Sequence, residues 1–212
     1  MIKQIPKVTK LLWKLRKKYY ARRYKYKKKV SIISQNCIGG LVYSLYSVEF
    51  LSPFINMFIL CEDYIKIASN LQYYVSLEVE PSDEKPIPEG ATYPVCKLGD
   101  CVLYCVHYKN YEEVREKWNR RKERINYDNL LFVMTDRDGF DEKFMPEFEK
   151  LEGAKVLFSS KEYESKYPWV LYMPEFKDLQ EVGPITGFSS PLGKRYFEKF
   201  DFKKYLISNQ RI

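Results

Sequence analysis

His107 is the only histidine in a chain of 212 residues, so acid–base chemistry near neutral pH has one obvious carrier. It ends the apolar run CVLYCVHY (Cys101–Tyr108), which reads as a buried strand. An imidazole there can take the proton of a hydroxyl nucleophile. Cys37, in QNCIGG, follows a second apolar run, VSIIS. Cys37 as nucleophile, His107 as base and Asp136 as orienter would form a covalent-catalysis trio. The competing reading of Cys37 is a buried, inert thiol. Asp136 and Asp138, in TDRDG, stand one residue apart after a third apolar run. Two such carboxylates can share an oxygen-preferring divalent cation, although Asp-Gly is also a strong turn signal.

Arg121 is conspicuous for its place. The segment YEEVREKWNRRKERI (Tyr111–Ile125) has an apolar stripe of Tyr111, Val114, Trp118 and Ile125, and Arg121 falls on it. A guanidinium on a buried face requires a partner. That partner is either a core carboxylate or a bound anion, since Arg suits phosphate and carboxylate alike. Glu112, Glu116, Arg120 and Arg124, each four apart, form an ordinary exposed charge ladder. Gly39-Gly40 either lets a strand turn tightly into a helix or presents backbone N–H groups to an anion.

These residues need a frame that brings them together. Val30–Ser34, Cys101–Tyr108, Leu130–Asp136, Ala154–Ser160 and WVLYMP read as core strands, and VSLEVE (Val75–Glu80) as an alternating one. Helical spacing predicts elements over LVYSLYSVEF, Glu62–Tyr74, Tyr111–Ile125, DGFDEKFMPEFEKL and the stretch from Pro191 to Ser208. A short helix is expected after Ser52 as cap, with Pro53 at its first position. PSDEKPIPEGATYP reads as a polar loop. Strands alternating with helices predict an α/β fold, a mostly parallel sheet with helices on both faces in three Rossmann-like layers. Ligands of such sheets bind beyond the carboxyl ends of the strands. That rule selects Gln35, Asn36, Cys37, Gly39, Gly40, His107, Lys109, Thr135, Asp136, Arg137, Asp138, Ser159 and Ser160 for one edge.

Charge divides the chain. Residues 1–29 carry 13 of its 36 Lys and Arg and no acid, leaving 23 basic against 28 acidic residues in the remainder. Two parts are therefore expected, a basic helical arm over 1–29 and a single α/β domain over 30–212. Val8, Leu12, Leu15 and Tyr19 would give the arm an apolar edge, suited to an anionic membrane surface. A solvated tail is the alternative, and nucleic acid is the less favoured partner. Five cysteines without a CxxC pair read as reduced cytoplasmic thiols. Cys101, Cys105 and His107 do not have a standard zinc spacing. No secretory leader is expected, and FLSPFINMFILC is too short and too broken by Pro53 to cross a bilayer.

Four blocks, SIISQNCIGGLVY, LSPFINMFI, VHYKNYEEVREKWNRRKERIN and the strand ending TDRDG, resemble the bacterial family called domain of unknown function 1919. The resemblance spans Val30 to Ser160 and leaves the basic arm outside. Its recurrent positions match here as Asn36, Cys37, Gly39, Gly40, Ser52, Pro53, Asn56, His107, Trp118, Arg121 and Arg124. Family members are often labelled exopolysaccharide or capsule biosynthesis proteins, and some acetyltransferases. The resemblance thus implies a glycosyl or acyl transferase of surface polysaccharide synthesis, acting on a glycan or lipid-linked precursor. Asp136-Arg137-Asp138 also resembles the DxD that holds a metal and a sugar-nucleotide diphosphate in many glycosyltransferases. The expected donors are a sugar nucleotide with Mg²⁺ or Mn²⁺, or acyl-coenzyme A. His107 is the expected base, with Asp136 or Cys37 as catalytic partners. Asn36, Gly39, Gly40, Ser52, Asn56, Arg121 and Arg124 are the expected substrate or anion contacts. The enzyme would lie in the cytoplasm, peripheral to the inner face of the membrane. The alternatives are a non-catalytic carbohydrate-binding or assembly protein, and a Cys–His acyltransferase or hydrolase.

Overall fold

The computed structural model describes residues 7–23 and 28–207. Strands β1 (Ser31–Ser34), β5 (Leu130–Thr135), β6 (Ala154–Ser159) and β7 (Val170–Tyr172) form one parallel sheet in the order β1-β5-β6-β7. Their register pairs Ile33 with Phe132, Val133 with Val156, and Phe158 with Leu171. Alternate residues supply two cores. Ile33, Phe132, Met134 and Leu157 face helices α3 (Cys61–Ser69), α4 (Leu71–Ser76), α5 (Tyr111–Lys122) and α6 (Met145–Lys150). Ile32, Leu131, Val133, Val156 and Phe158 face α1 (Lys7–Arg23), α2 (Ile38–Tyr46) and α7 (Phe202–Leu206). Near-continuous apolar strands buried on both sides are what a covered parallel sheet requires, and the expected three-layer α/β fold is the one observed.

Several local expectations are corrected. CVLYCVHY does not enter the parallel sheet. Its strand β4 (Cys101–Tyr104) pairs antiparallel with β3 (Val95–Leu98), which in turn meets β2 (Glu80–Pro81) in a separate three-stranded sheet. VSLEVE is not a strand over its length, because α4 extends to Ser76 and buries Leu71, Tyr74 and Val75 on one helical face. Alternation in a six-residue window was overridden by packing. The expected helix over Glu62–Tyr74 is two helices broken at Asn70, with Tyr64, Ile67, Ala68 and Leu71 inward as predicted. No helix starts at Ser52. Its buried hydroxyl accepts from Phe54 N at 3.2 Å, and Ile55 N donates to Pro53 O at 2.8 Å, which makes a tight turn. Near the C-terminus, the expected helix is a 3₁₀ turn over Tyr196–Lys199 followed by the short α7.

The basic segment is seated on the domain. Trp13 and Thr9 of α1 are buried, and Trp13 belongs to the second core. Arg16 forms an ion pair with Glu198 and donates to Gly193 O at 2.9 Å, and Lys17 donates to Ser44 Oγ at 2.6 Å. Gly193 has φ of +76°, and a Cβ there would lie 2.8 Å from Trp13 N, so this seat requires glycine. Of the expected apolar edge, Val8, Leu15 and Tyr19 face away from the domain, and Leu12 is half-buried. Among the described residues, no helix is long and apolar enough to cross a membrane.

Candidate functional site

Strand β1 hands the chain to Gln35, Asn36 and Cys37, and Cys37 caps α2 without a side-chain cap bond. Gln35 is a structural clasp. Its Oε1 accepts from Thr135 N at 2.9 Å and from Thr135 Oγ1 at 3.0 Å, which ties β1 to the end of β5. Asn36 Nδ2 donates to the same Thr135 hydroxyl at 3.3 Å, while its Oδ1 accepts from Ile38 N at 3.1 Å. Gly39 and Gly40 serve close packing. Their added Cβ atoms would sit 3.1 Å from Ser34 Cβ and from Ile55 Cγ2, respectively. So α2 packs so closely on Ser34 and Ile55 that an alanine at either position would press its neighbour aside.

Two recesses open at this carboxyl edge, of about 400 Å³ and about 380 Å³, and both are lined by Cys37 and Thr186. The first adds Asn36, Arg137 and Asp138, and the second adds Gly40, Ser44, Asn56, His107 and Arg195. His107 is exposed. It arrives from the small sheet rather than the parallel one, carried by the Phe58–Tyr104 bridge and by its own N–H on Asn56 O at 3.2 Å. Asn56 adopts φ of +64°, a left-handed conformation that Asn tolerates better than most residues.

Arg195 is the cation of the second recess. Its guanidinium carbon lies 4.6 Å from the Trp13 ring centroid and 4.4 Å from that of Phe188. One amino group donates to Thr186 O, and the buried Nε has no hydrogen-bond partner among the described residues. Burial pulls the Arg195 pKa down, against the pull of Glu198, but a guanidinium stays charged at neutral pH. The two rings meet edge to face with centroids 6.3 Å apart, so they flank adjacent sides of the guanidinium rather than its two faces, and the planar fork suits phosphate or carboxylate oxygens. Across the Cys37–Thr186 divide, Arg137 approaches Glu181 at 3.6 Å with its side chain 34% exposed. Burial raises the pKa of the Asp138 carboxyl, and Arg137 opposes that rise.

The sequence-selected residues do not all meet here. Arg121 is buried as its stripe required, yet among the described residues it forms no ion pair with a carboxylate. It donates to Tyr108 Oη at 2.8 Å, and its guanidinium carbon lies 5.0 Å from the Phe50 ring centroid. Tyr108 in turn donates to Ile55 O at 2.7 Å. Arg121 thus stands behind Phe50, outside the lining of both recesses. Arg124 pairs with Glu49 at 2.8 Å, and Ser52 is fully buried in its turn; neither lines a recess.

Asp136 is also occupied. Its carboxylate accepts from Ser159 Oγ at 3.2 Å, Ser160 N at 2.6 Å, Ser160 Oγ at 2.8 Å and Val182 N at 2.7 Å. These bonds fasten the segment containing Thr186 to the sheet edge and leave Asp136 neither orienting His107 nor sharing an ion with Asp138. Among the described residues, no group of three or more His, Cys, Asp and Glu side chains could hold a metal ion. The donor set does not fit the expected Asp136–Asp138 cation site. Cys101 and Cys105 are buried while His107 is exposed, so these three do not form a ligand set either. Burial, with a smaller push from Asp138, raises the Cys37 thiol to about 12. A reactive thiolate needs the opposite shift.

Arg195, Thr186 and Phe188 were not found by sequence reasoning. The available signal was the Gly-, Pro- and Ser-rich stretch PITGFSSPLGKRYF, which marks a surface loop carrying a cation beside aromatics.

The family model described as Domain of unknown function (DUF1919) matches residues 8–207, and the chain belongs to that family. The match reaches beyond the Val30–Ser160 blocks and takes in both α1 and the Arg195 loop. A protein of Haemophilus influenzae, described as an uncharacterized protein, is 33% identical over 177 residues, which is 83% of each chain.

Proposed function

We propose that this family member is a glycosyl or acyl transferase of surface polysaccharide synthesis, with the cleft around Cys37 and Thr186 as its donor site. The observation that supports this most is Arg195, flanked by the Trp13 and Phe188 rings, in a recess that also holds His107. In this reading Arg195 takes an anionic group of the donor, a phosphate of a sugar nucleotide or of acyl-coenzyme A. The small sheet brings His107 to the same recess, where it accepts the proton of an acceptor hydroxyl. The acceptor oxygen bonds to the glycosyl or acyl carbon as the donor's diphosphate or thiol departs. Asn56 offers its amide group to fix the donor's polar atoms. The polysaccharide class rests on the family resemblance, and the anionic donor rests on the cleft. In this reading the protein works in the cytoplasm beside the inner face of the membrane, on a lipid-linked or growing glycan.

A covalent Cys37 mechanism has less support, because a thiol held protonated by burial is a poor nucleophile. No step is assigned to a metal ion, since the Asp136 oxygens are taken by protein donors.

The test is a thermal-shift screen of sugar nucleotides and acyl-coenzyme A thioesters, with and without Mg²⁺ or Mn²⁺. A ligand of the native state raises the apparent Tm. At least one donor should stabilise the wild type, and Arg195→Ala should lose that shift. Equal stabilisation of both proteins removes Arg195 from the site. A glycan that binds without turnover in the presence of every donor favours the assembly-protein reading instead.

A further inference from the structure

We infer that the outward face of α1 is a docking surface for an anionic lipid bilayer. The inward face is settled by Thr9, Trp13, Arg16 and Lys17, which bury or bond against the domain. The other side carries two parallel flanks. Val8, Leu11, Leu15 and Tyr19 are 63%, 55%, 50% and 56% exposed, at spacings of three and four that align them along the helix. Lys10, Lys14, Lys18 and Arg22, each four apart and all exposed, form the row beside them. Leu192, 68% exposed, adjoins Gly193, which is packed against the α1 backbone.

An apolar row beside a cationic row matches the interface of an anionic membrane. Aliphatic side chains enter the acyl boundary, and the ammonium groups meet lipid phosphates. Nucleic acid would use the cationic row but leave the apolar row in water. The expected apolar edge and the observed one share three residues. They differ in Leu11, which is exposed, and in Leu12, which is half-buried.

The placement of α1 ties the surface to the cleft. Trp13 stacks on Arg195, and Lys17 bonds to Ser44, and both partners line the second recess. One helix, about 10 Å across, therefore separates that recess from the bilayer. If the transferase reading holds, on which this last consequence rests, the acceptor is a lipid-linked glycan presented at the membrane surface.

The experiment is flotation of the full-length protein with vesicles of phosphatidylcholine alone, or of phosphatidylcholine mixed with phosphatidylglycerol. The wild type should float with the anionic vesicles, remain behind with the neutral ones, and be released as salt rises. Leu11→Glu/Leu15→Glu should lose at least tenfold in partitioning, with circular dichroism and Tm unchanged because both positions are exposed. Lys10→Ser/Lys14→Ser/Lys18→Ser should lose the preference for phosphatidylglycerol. Failure of the wild type to float overturns the inference, as does wild-type binding by both variants. A concentration-dependent dimer in gel filtration that the Leu11/Leu15 variant dissociates would assign the face to a second copy. Salt-sensitive binding to duplex DNA without vesicle binding would assign it to nucleic acid. Donor binding in the thermal-shift screen needs no lipid, so a failure there leaves the flotation result standing, and the reverse also holds.

Discussion

Arg121 and Arg195 both lie against aromatic rings, and the regions around them differ. Behind Phe50, the arginines are partnered: Arg121 donates to Tyr108, Tyr108 donates to Ile55 O, and Arg124 pairs with Glu49. In the cleft, Arg195 donates to Thr186 O, but its Nε has no acceptor among the described residues, and His107 is open to solvent. A closed polar network is a packing solution, whereas an open cationic edge in a recess is a binding opportunity. Asp136 shows the same contrast at the sheet edge, where it is fully engaged while Asp138 lines the cleft.

The sharpest way to break the comparison is at Asp136. Asp136→Ala strands the N–H groups of Ser160 and Val182 in the interior and should cost about 3 kcal/mol or more, read from urea unfolding. A loss below about 1 kcal/mol would mean its bonds are not structural. Next is Arg195→Ala, expected to weaken donor affinity about 100-fold by calorimetry, with Arg195→Lys recovering only part of it for want of a planar fork. Arg121→Ala should do the reverse. It should lower stability by about 2 kcal/mol through lost packing and the lost Tyr108 bond, with donor affinity unchanged. If Arg121→Ala abolishes binding and Arg195→Ala does not, the two regions have exchanged roles.

The smallest effect is expected at Cys37. Cys37→Ser should leave turnover within about twofold, against the losses of many orders seen when a true nucleophile is removed. Its pH behaviour carries a sign. The folded thiol is raised from 9.0 to about 12, so folding favours the protonated form. That contribution to stability is complete below pH 9 and is lost as pH climbs toward 12. Alkylation of native Cys37 should stay slow at pH 8, and Tm should fall progressively above pH 9. Rapid alkylation at neutral pH would revive the covalent mechanism.

Much of the frame was legible. LLFVMT, AKVLFS and VLY are short apolar runs that became β5, β6 and β7, because a doubly covered strand must be apolar throughout. The Tyr111 helix was legible from its stripe, and the structure adds an Asn110 cap whose Oδ1 accepts from Glu113 N. CVLYCVHY was legible as a strand but not in its partner. VCKL lies at the end of a Pro-rich segment and shows little pattern of its own, so the antiparallel pairing of β3 with β4 had no local signature. Of the expected site, Asn36, Cys37, Gly40, Asn56, His107 and Asp138 do line the recesses, whereas Gly39, Arg121, Arg124, Ser52 and Asp136 do not. Asn36, Cys37, Gly40 and Asp138 were findable because the topology of the parallel sheet sends its strand ends to one edge, whereas His107 reaches that edge from the small antiparallel sheet.

The sequence by itself determined the layers, the buried position of Arg121 and the basic character of α1, because each follows from periodicity or composition over one short window. Only the tertiary structure decided which arginine faces a cavity, which aspartate is engaged, and which side of α1 is free. Those outcomes depend on Trp13 meeting Arg195, Val182 meeting Asp136, and Gly193 admitting the helix backbone. Such contacts join segments far apart in the chain, and no local pattern encodes where a polar group will find its partner.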